Sequence, residues 1–277
     1  MTHASPKDFD FVETIVKESK SSFAAGMKVL PVERRGYLYA IYAYCRVLDD
    51  IADEDDLREN KLAELKNWRT KIDETLKGKP DCAITRILAD GIKIYDLPTQ
   101  ELYNLIDGME ADANGPINKP TLEELYQYCR NVAVSVGLLS LPVFGRTDEG
   151  AKEFAIELGY ALQLTNILRD IPEDESIGRI YLPSDLLEKH HVESLQSSEL
   201  SKVLKEIAQL AQNHYDRTEI LLKKIGSQNL LPAQMMKAGY YKIFEKMQKR
   251  GWHILSPRIR LSKTEKAFMV MRMLTKV

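Results

Sequence analysis

The sequence predicts an all-α protein with one domain. Apolar residues recur at three- and four-residue spacing, and alternating β-type runs are few. The 277 residues contain no repeat of fixed period and no shift in composition that would divide them. We therefore expect one domain over residues 1–277, loosely ordered at 1–7 and 262–277. The predicted helices cover about 8–26, 32–55, 59–77, 81–94, 99–113, 121–140, 148–171, 183–188, 196–225 and 232–250.

Prolines and glycines separate these segments, as expected where helices end. Pro31, Pro80 and Pro98 each lie at a predicted boundary. Thr121 followed by Glu124 is typical of a capping box, so we expect a helix to begin there.

The composition excludes several classes of protein. A formal net charge of -2 offers no basic excess, so we predict no nucleic-acid partner. Three cysteines without a CxxC pair argue against a disulfide framework and a cysteine zinc site. Residues 1–10 do not resemble a signal peptide, and the most apolar run, 132–144, is too short to span a membrane. These features favour the cytoplasm.

One predicted helix carries an apolar face that continues into acidic residues. Leu38, Ile41 and Cys45 are followed at helical spacing by Asp49 and Asp53. A solvated acidic helix end is the alternative interpretation. It explains these two carboxylates less well, because they follow the face expected to be buried.

A second predicted helix, 148–171, is apolar around most of its circumference and should lie in the interior. Gln163, Asn166, Asp170 and Asp174 nevertheless form a polar line along it at steps of three, four and four. Buried carboxylates need cations, water or hydrogen-bond donors. A buried hydrogen-bond network is the alternative to a binding site.

Two such helices facing each other would suit magnesium and a diphosphate. Mg²⁺ prefers one or two carboxylates together with water and phosphate oxygens. Other uses of these acids fit less well. An EF-hand loop beginning at Asp49 fails because Glu54 stands where glycine is required, and the sequence lacks GxxxxGK[ST], GxGxxG and HExxH.

Four segments resemble the motifs of squalene and phytoene synthases. Residues 46–54 (RVLDDIADE) are similar to the first aspartate-rich motif, and 163–174 (QLTNILRDIPED) to the second. Residues 178–183 (GRIYLP) resemble the GRxYLP segment, and 128–137 (YCRNVAVSVG) resemble the YCxxVAxxVG helix. The resemblance runs from about residue 19 to 260, with all four segments in order.

The resemblance implies the α-helical isoprenoid-synthase fold, a central cavity and two or three Mg²⁺ ions. The implied metal ligands are Asp49, Asp53, Asn166, Asp170 and Asp174. The implied catalytic residues are Tyr128, Arg46, Asp49, Asp53 and Asp170. The implied substrate-binding residues are Ser19, Ser22, Phe23, Tyr42, Arg46, Val132, Ala133, Gly137, Gln163, Asn166, Arg169, Arg179, Tyr181 and Tyr240.

Some positions depart from the family pattern. Ser19 stands in SKSSF where the family often has HSxSF. Residues 175–177 are not basic, as they often are in relatives. We therefore expect Lys20 or Arg258 to supply one charge contact to diphosphate.

Five short segments look most like the corresponding segments of bacterial presqualene diphosphate synthases of hopanoid biosynthesis. They are residues 21–23, 30–31, 34–35, 39–43 and 250–252. The implied reaction joins two farnesyl diphosphates head to head and needs no NADPH. Squalene, dehydrosqualene or phytoene synthesis are alternatives, as are a single-substrate terpene cyclase and a non-catalytic helical assembly factor. The resemblance also implies downstream squalene or hopanoid enzymes as partners. We further expect peripheral contact with the inner face of the membrane through residues 246–260.

Overall fold

The computed structural model describes residues 3–19, 26–54, 56–115 and 117–274. The helices in chain order are α1 (Pro6–Glu18), α2 (Val32–Asp53), α3 (Arg58–Leu76), α4 (Ala83–Tyr95), α5 (Gln100–Ala113), α6 (Leu122–Cys129), a π-helical turn (Arg130–Val134), α7 (Ser135–Phe144), α8 (Glu149–Ser176), α9 (Ser184–Lys189), α10 (Leu200–Ile225), α11 (Leu231–Arg250) and α12 (Lys263–Leu274).

The prediction of an all-α protein is confirmed. In the described residues the only β-type pairing is an isolated bridge between Asn118 and Ile180, which joins the segment before α6 to the segment after α8. None of the helices described is long and apolar enough to cross a membrane.

Helix α8 lies at the centre of the fold, as its sequence predicted. It packs most extensively against α10 and also contacts α6, the π-helical turn, α7 and α11. On the other side of the core, α2 packs against α1, α4, α5 and α7. The apolar faces of these helices bury one hydrophobic cluster. Burial of these faces stabilises the arrangement, and the polar stripes of α2 and α8 are held in fixed positions by it.

The predicted capping box is present at the start of α6. The Glu124 backbone N–H donates to Thr121 Oγ1 at 3.2 Å, and the Thr121 N–H donates to the Glu124 carboxylate at 2.7 Å. These bonds satisfy two backbone donors that the first helical turn leaves free.

Four helical features differ from the sequence prediction. Helix α1 ends at Glu18, whereas the predicted helix extended to about residue 26. The predicted helix 121–140 contains a π-helical turn at Arg130–Val134, and α8 continues through Pro172 to Ser176. Gly178, at φ +79°, adopts a left-handed conformation just beyond that end. A further helix, α12, occupies Lys263–Leu274, where we expected loose order.

Candidate active site

A cavity of about 940 Å³ opens between α2, α5, α8, α11 and the segment that follows α11. The structure brings most of the sequence-predicted site residues to its wall. Those that line it are Ser19, Tyr42, Arg46, Asp49, Asp53, Tyr128, Val132, Gln163, Asn166, Arg169, Asp170, Asp174, Arg179, Tyr181 and Tyr240.

Two of the predicted substrate-binding residues that the structure describes are not at this wall. Ala133 and Gly137 do not line the cavity. A Cβ at Gly137 would lie 3.3 Å from the Ala155 carbonyl oxygen, so this glycine allows α7 to approach α8 closely. Ser22 and Phe23, together with Lys20, lie outside the described residues.

The acidic end of α2 is paired with arginines. Arg46 Nη1 lies 3.3 Å from Asp49 Oδ2 and also pairs with Asp50. Arg179, from the loop after α8, donates to Asp53 Oδ1 at 2.6 Å and to the Ala52 carbonyl at 3.2 Å. The GRxYLP-like segment is thereby tied to the first acidic motif.

On α8, two arginines bind the same carboxylate. Arg169 donates to both oxygens of Asp170 at 2.7 and 2.6 Å. Arg258 pairs with the same two oxygens through Nε at 2.7 Å and Nη2 at 2.8 Å. Such charge-assisted, two-point contacts are among the stronger hydrogen bonds in proteins. Arg258, expected from the sequence as a charge contact, therefore lies at the second acidic motif.

Two other carboxylates are less fully compensated, since Asp49 has a longer, single contact with Arg46 at 3.3 Å and Asp174 lies beside Asp170. Loss of hydration in the recessed wall, followed by repulsion from Asp53, raises the pKa of Asp49 to about 6. Loss of hydration and repulsion from Asp170 raise the pKa of Asp174 to about 7. Both carboxylates would be stabilised by an additional cation.

The donor set of the wall fits magnesium. Carboxylate and amide oxygens are hard ligands, and the Asn166 Oδ1 atom is buried without a hydrogen-bond partner in the described structure. The Asn166 amide nitrogen donates to Gln163 Oε1 at 3.3 Å, which leaves Oδ1 turned away from that bond. The acids are not already gathered into a metal cage, since no group of three or more His, Cys, Asp or Glu residues in the described part of the chain has that geometry.

A buried carboxylate that sequence reasoning missed lies beside the two cavity tyrosines. Asp112 accepts hydrogen bonds from Tyr128 at 2.9 Å and from Tyr181 at 2.7 Å. The two rings stack with centroids 5.1 Å apart. The sequence does contain a pattern that points to Asp112. Leu105, Met109 and Asp112 follow helical spacing and repeat the apolar-to-acidic pattern of α2.

The rest of the wall is largely apolar. Leucine, isoleucine, valine and methionine side chains form it, and this surface suits long hydrocarbon chains better than water. These residues are Leu105, Met109, Val132, Ile167, Met235, Met236, Ile243, Ile259, Leu261 and Met269.

Comparison with known proteins gives a consistent result. The sequence profile of the family described as squalene/phytoene synthase matches residues 16–265. A presqualene diphosphate synthase from Zymomonas mobilis is 37% identical over 254 residues, which are 90% of this chain and 87% of that protein. A presqualene diphosphate synthase from Rhodopseudomonas palustris is 34% identical over 252 residues, which are 89% of this chain and 90% of that protein.

The fold is also found among solved structures. A dehydrosqualene synthase in complex with a ligand superposes with a TM-score of 0.84 at 27% sequence identity. The superposition covers 98% of this chain and 96% of that one.

Proposed function

The chain belongs to the squalene/phytoene synthase family, and we propose that it is a prenyltransferase that condenses two molecules of farnesyl diphosphate head to head. The product is presqualene diphosphate, and one diphosphate is released. The relatives from Zymomonas mobilis and Rhodopseudomonas palustris, named for this product, support the assignment. The reaction would supply the squalene or hopanoid pathway, whose next enzyme must consume presqualene diphosphate.

The observation that carries the proposal is that one cavity wall combines two kinds of surface. The acidic stripes of α2 and α8 and their arginines form one kind, and the apolar side chains form the other. A substrate with an anionic head and a long hydrocarbon tail matches both. The apolar surface excludes water, which would otherwise capture the allylic cation.

Oxygen ligands from two helices would hold two or three magnesium ions. These ligands are Asp49 and Asp53 on α2 and Asn166, Asp170 and Asp174 on α8. When bound, these ions neutralise the diphosphate and make it a better leaving group. Around them Arg46, Arg169, Arg179 and Arg258 offer donors to diphosphate oxygens.

The chain's other residues orient the substrates and handle one proton. Tyr42, Val132, Gln163 and Tyr240 line the cavity where hydrocarbon chains would lie. The C2–C3 double bond of the second molecule attacks the allylic cation of the first. Closure of the cyclopropane then requires loss of a proton, for which Tyr128 lies at the wall. No reductant enters this sequence of steps, so NADPH is not expected.

Product analysis tests the proposal. Purified protein is incubated with farnesyl diphosphate and Mg²⁺, with and without NADPH, and lipids are identified by mass spectrometry after dephosphorylation. We expect presqualene alcohol in both samples. Squalene formed only with NADPH would instead indicate a full squalene synthase. If no C30 product formed, the proposed condensation would be overturned, and a C40 product from geranylgeranyl diphosphate would then indicate a phytoene synthase.

We further propose that this is a cytoplasmic enzyme that touches the anionic inner face of the membrane through α12. Phe268 and Met271 are 63% and 60% exposed on this helix, beside exposed Lys263 and Lys266. Apolar side chains with neighbouring cations suit an anionic lipid surface. Because Lys266 and Met269 also line the cavity, the contact would bring its mouth close to the lipid. This surface lies beyond the 246–260 segment expected from the sequence.

Vesicle sedimentation tests this contact. The protein should co-sediment with phosphatidylglycerol-containing vesicles and less with purely phosphatidylcholine vesicles. Replacing Phe268 and Met271 with serine should reduce binding several-fold. The control is Ile220→Ser on α10, where the side chain is 65% exposed but lies on a different helix. Equal binding by the double variant and the control would contradict the assignment.

A further inference from the structure

The Asp112 carboxylate accepts a hydrogen bond from the hydroxyl group of each of the two cavity tyrosines, Tyr128 and Tyr181. Tyr181 Oη donates to Oδ1 at 2.7 Å and Tyr128 Oη donates to Oδ2 at 2.9 Å. The Tyr128 and Tyr181 oxygens lie 3.4 Å apart, which is a weaker contact than either bond to Asp112. An ionised carboxylate only accepts, so each phenol directs its single proton toward Asp112.

This arrangement fixes what Tyr128 presents to the cavity. Its hydroxyl proton points at Asp112, so an oxygen lone pair remains for a substrate proton. Burial and the neighbouring Asp112 charge keep the pKa of Tyr128 well above its ordinary value, which disfavours a phenolate as the base. Tyr128 can accept a proton most readily if it gives up its own at the same time.

Asp112 is suited to take that second proton. It is only 8% exposed, and in the described structure its hydrogen-bond partners are the two neutral phenols, with no cation within ion-pair distance. A buried carboxylate without an ion-pair partner is costly in its charged form, so protonation relieves that cost. Burial raises the pKa of Asp112, and the more distant Arg179 charge and the two phenol hydrogen bonds, which act in the opposite direction, offset this only in part.

We infer that Asp112 is a positioning residue that drives proton removal in cyclopropane closure, by receiving the Tyr128 proton as Tyr128 takes one from the substrate. This inference rests on the proposed condensation. The carbon that lost diphosphate gives up one hydrogen, and the electron pair of that C–H bond forms the bond to the tertiary cationic carbon and closes the ring. The substrate proton goes to Tyr128 Oη, and the Tyr128 hydroxyl proton goes to Asp112. The released diphosphate is the competing acceptor.

The test compares wild type with Asp112→Asn, which keeps the size and polarity of the side chain but has no carboxylate to protonate. Single-turnover rates are measured with farnesyl diphosphate and with the substrate carrying two deuterium atoms at C1. We expect the single-turnover rate constant of Asp112→Asn to fall by roughly 10²-fold, the lower range for general acid–base groups. Steady-state assays of this variant should show little change in KM. Its deuterium effect should exceed that of wild type, because proton loss becomes the slow step.

Two further variants separate this role from a structural one. Asp112→Glu restores a carboxylate and should recover part of the rate and the smaller isotope effect. Asp107→Asn makes the same change at an exposed position on α5 that pairs with Arg69, and should behave as wild type. The isotope effect is a ratio, so it does not depend on how much of a variant is folded.

The outcomes distinguish the inference from the proposed function. If wild type forms no C30 product from farnesyl diphosphate, the proposed condensation fails. If wild type is active and Asp112→Asn keeps the wild-type isotope effect, the condensation stands and Asp112 does not assist proton loss. That result would point to the released diphosphate as the acceptor.

Discussion

Arginine side chains lie directly against the carboxylates of the cavity. Asp170 is held by both Arg169 and Arg258, and Asp53 by Arg179. Under the proposed function, the same guanidinium groups would be available to diphosphate oxygens once metal ions bind the carboxylates.

At residue scale, two adjacent acids at the end of α2 give a matched comparison. Asp53 lines the cavity and pairs with Arg179, whereas Glu54 is exposed and does not line the cavity. Asp53→Ala should lower turnover by roughly 10²-fold or more, as loss of a charge-stabilising group typically does. Glu54→Ala should leave turnover within about twofold, because surface substitutions away from a site are usually mild.

Steady-state rates with farnesyl diphosphate and Mg²⁺ measure the difference, and far-ultraviolet circular dichroism checks that both variants keep their helices. Similar losses in the two variants would mean that the acidic end of α2 acts through its general charge rather than through Asp53.

Individual residues also show where sequence reasoning ends. Helical spacing was sufficient to align Asp49 with Asp53 and Asn166 with Asp170, because the geometry of one helix determines it. It did not show which arginine pairs with which acid, since Arg258 and Asp170 are separated by 88 positions. Asp112 was missed although its helix repeats the pattern of α2, because no motif drew attention to it.

At the scale of elements, α8 approaches the π-helical turn closely at Gly159. A Cβ at this position would lie 2.7 Å from the Val134 Cα, a backbone atom that cannot move aside cheaply. Gly159→Ala should therefore reduce the free energy of unfolding by about 1–3 kcal/mol, as overpacked cores do.

The matched control is Gly239→Ala in α11, where a Cβ would meet Met269 at an ordinary 3.5 Å. Helix propensity favours alanine there by up to about 1 kcal/mol. Chemical denaturation measures both changes. If Gly159→Ala left the free energy of unfolding unchanged, α8 and the π-helical turn could move apart without loss of stability.

The contact between α1 and α4 depends on a buried ion pair. Arg86 donates to Asp8 Oδ1 at 2.6 Å through Nη2, and this bond holds the pKa of Asp8 well below its ordinary value. A carboxyl whose pKa is lower in the folded state stabilises the fold above its unfolded pKa, about 3.9, and loses that contribution as pH falls further. The pair should therefore support the fold at neutral pH.

Asp8→Asn should lower the free energy of unfolding at pH 7 by about 1–3 kcal/mol, the usual range for hydrogen bonds to charged groups. The deficit relative to wild type should shrink as the pH falls below about 4. The control is Asp10→Asn, at an exposed position of the same helix. Urea denaturation across this pH range measures both, and a deficit that stays constant with pH would exclude the ion pair as its cause.

Among the elements, the long amphipathic helices other than α1 were predicted within a few residues, since their periodicity is strong. Helix α1 ends at Glu18, well before the predicted end near residue 26. The π-helical turn was not predicted, because one inserted residue barely disturbs the apolar pattern of its neighbours. Helix α12 was missed since it is short and follows an irregular stretch, and its tertiary contacts are made by packing against α11. Such a helix is stabilised by tertiary contacts more than by local propensity.

For the molecule as a whole, the fold class could be predicted from the sequence, but the depth of the cavity could not. The depth depends on how far α2, α5, α8 and α11 stand apart around the apolar wall, and no local pattern encodes that distance. The cavity combines carboxylates that repel one another with arginines that already have partners. Without diphosphate, Mg²⁺ must compete with these arginines for the carboxylates. Without Mg²⁺, diphosphate is repelled by the negatively charged carboxylates.

The two ligands should therefore bind together better than separately. Mg²⁺ with inorganic diphosphate should raise the Tm by several degrees and by more than the sum of the two separate shifts. Binding at a hundred times the Kd would add about 2.7 kcal/mol to the free energy of unfolding. Differential scanning fluorimetry measures the shift. Asp170→Asn should lose most of it, because Asp170 lies where both arginines and metal would meet, whereas Glu54→Ala should retain it. If diphosphate alone gave the full shift in both variants, the arginines would suffice for binding and the carboxylates would need another role.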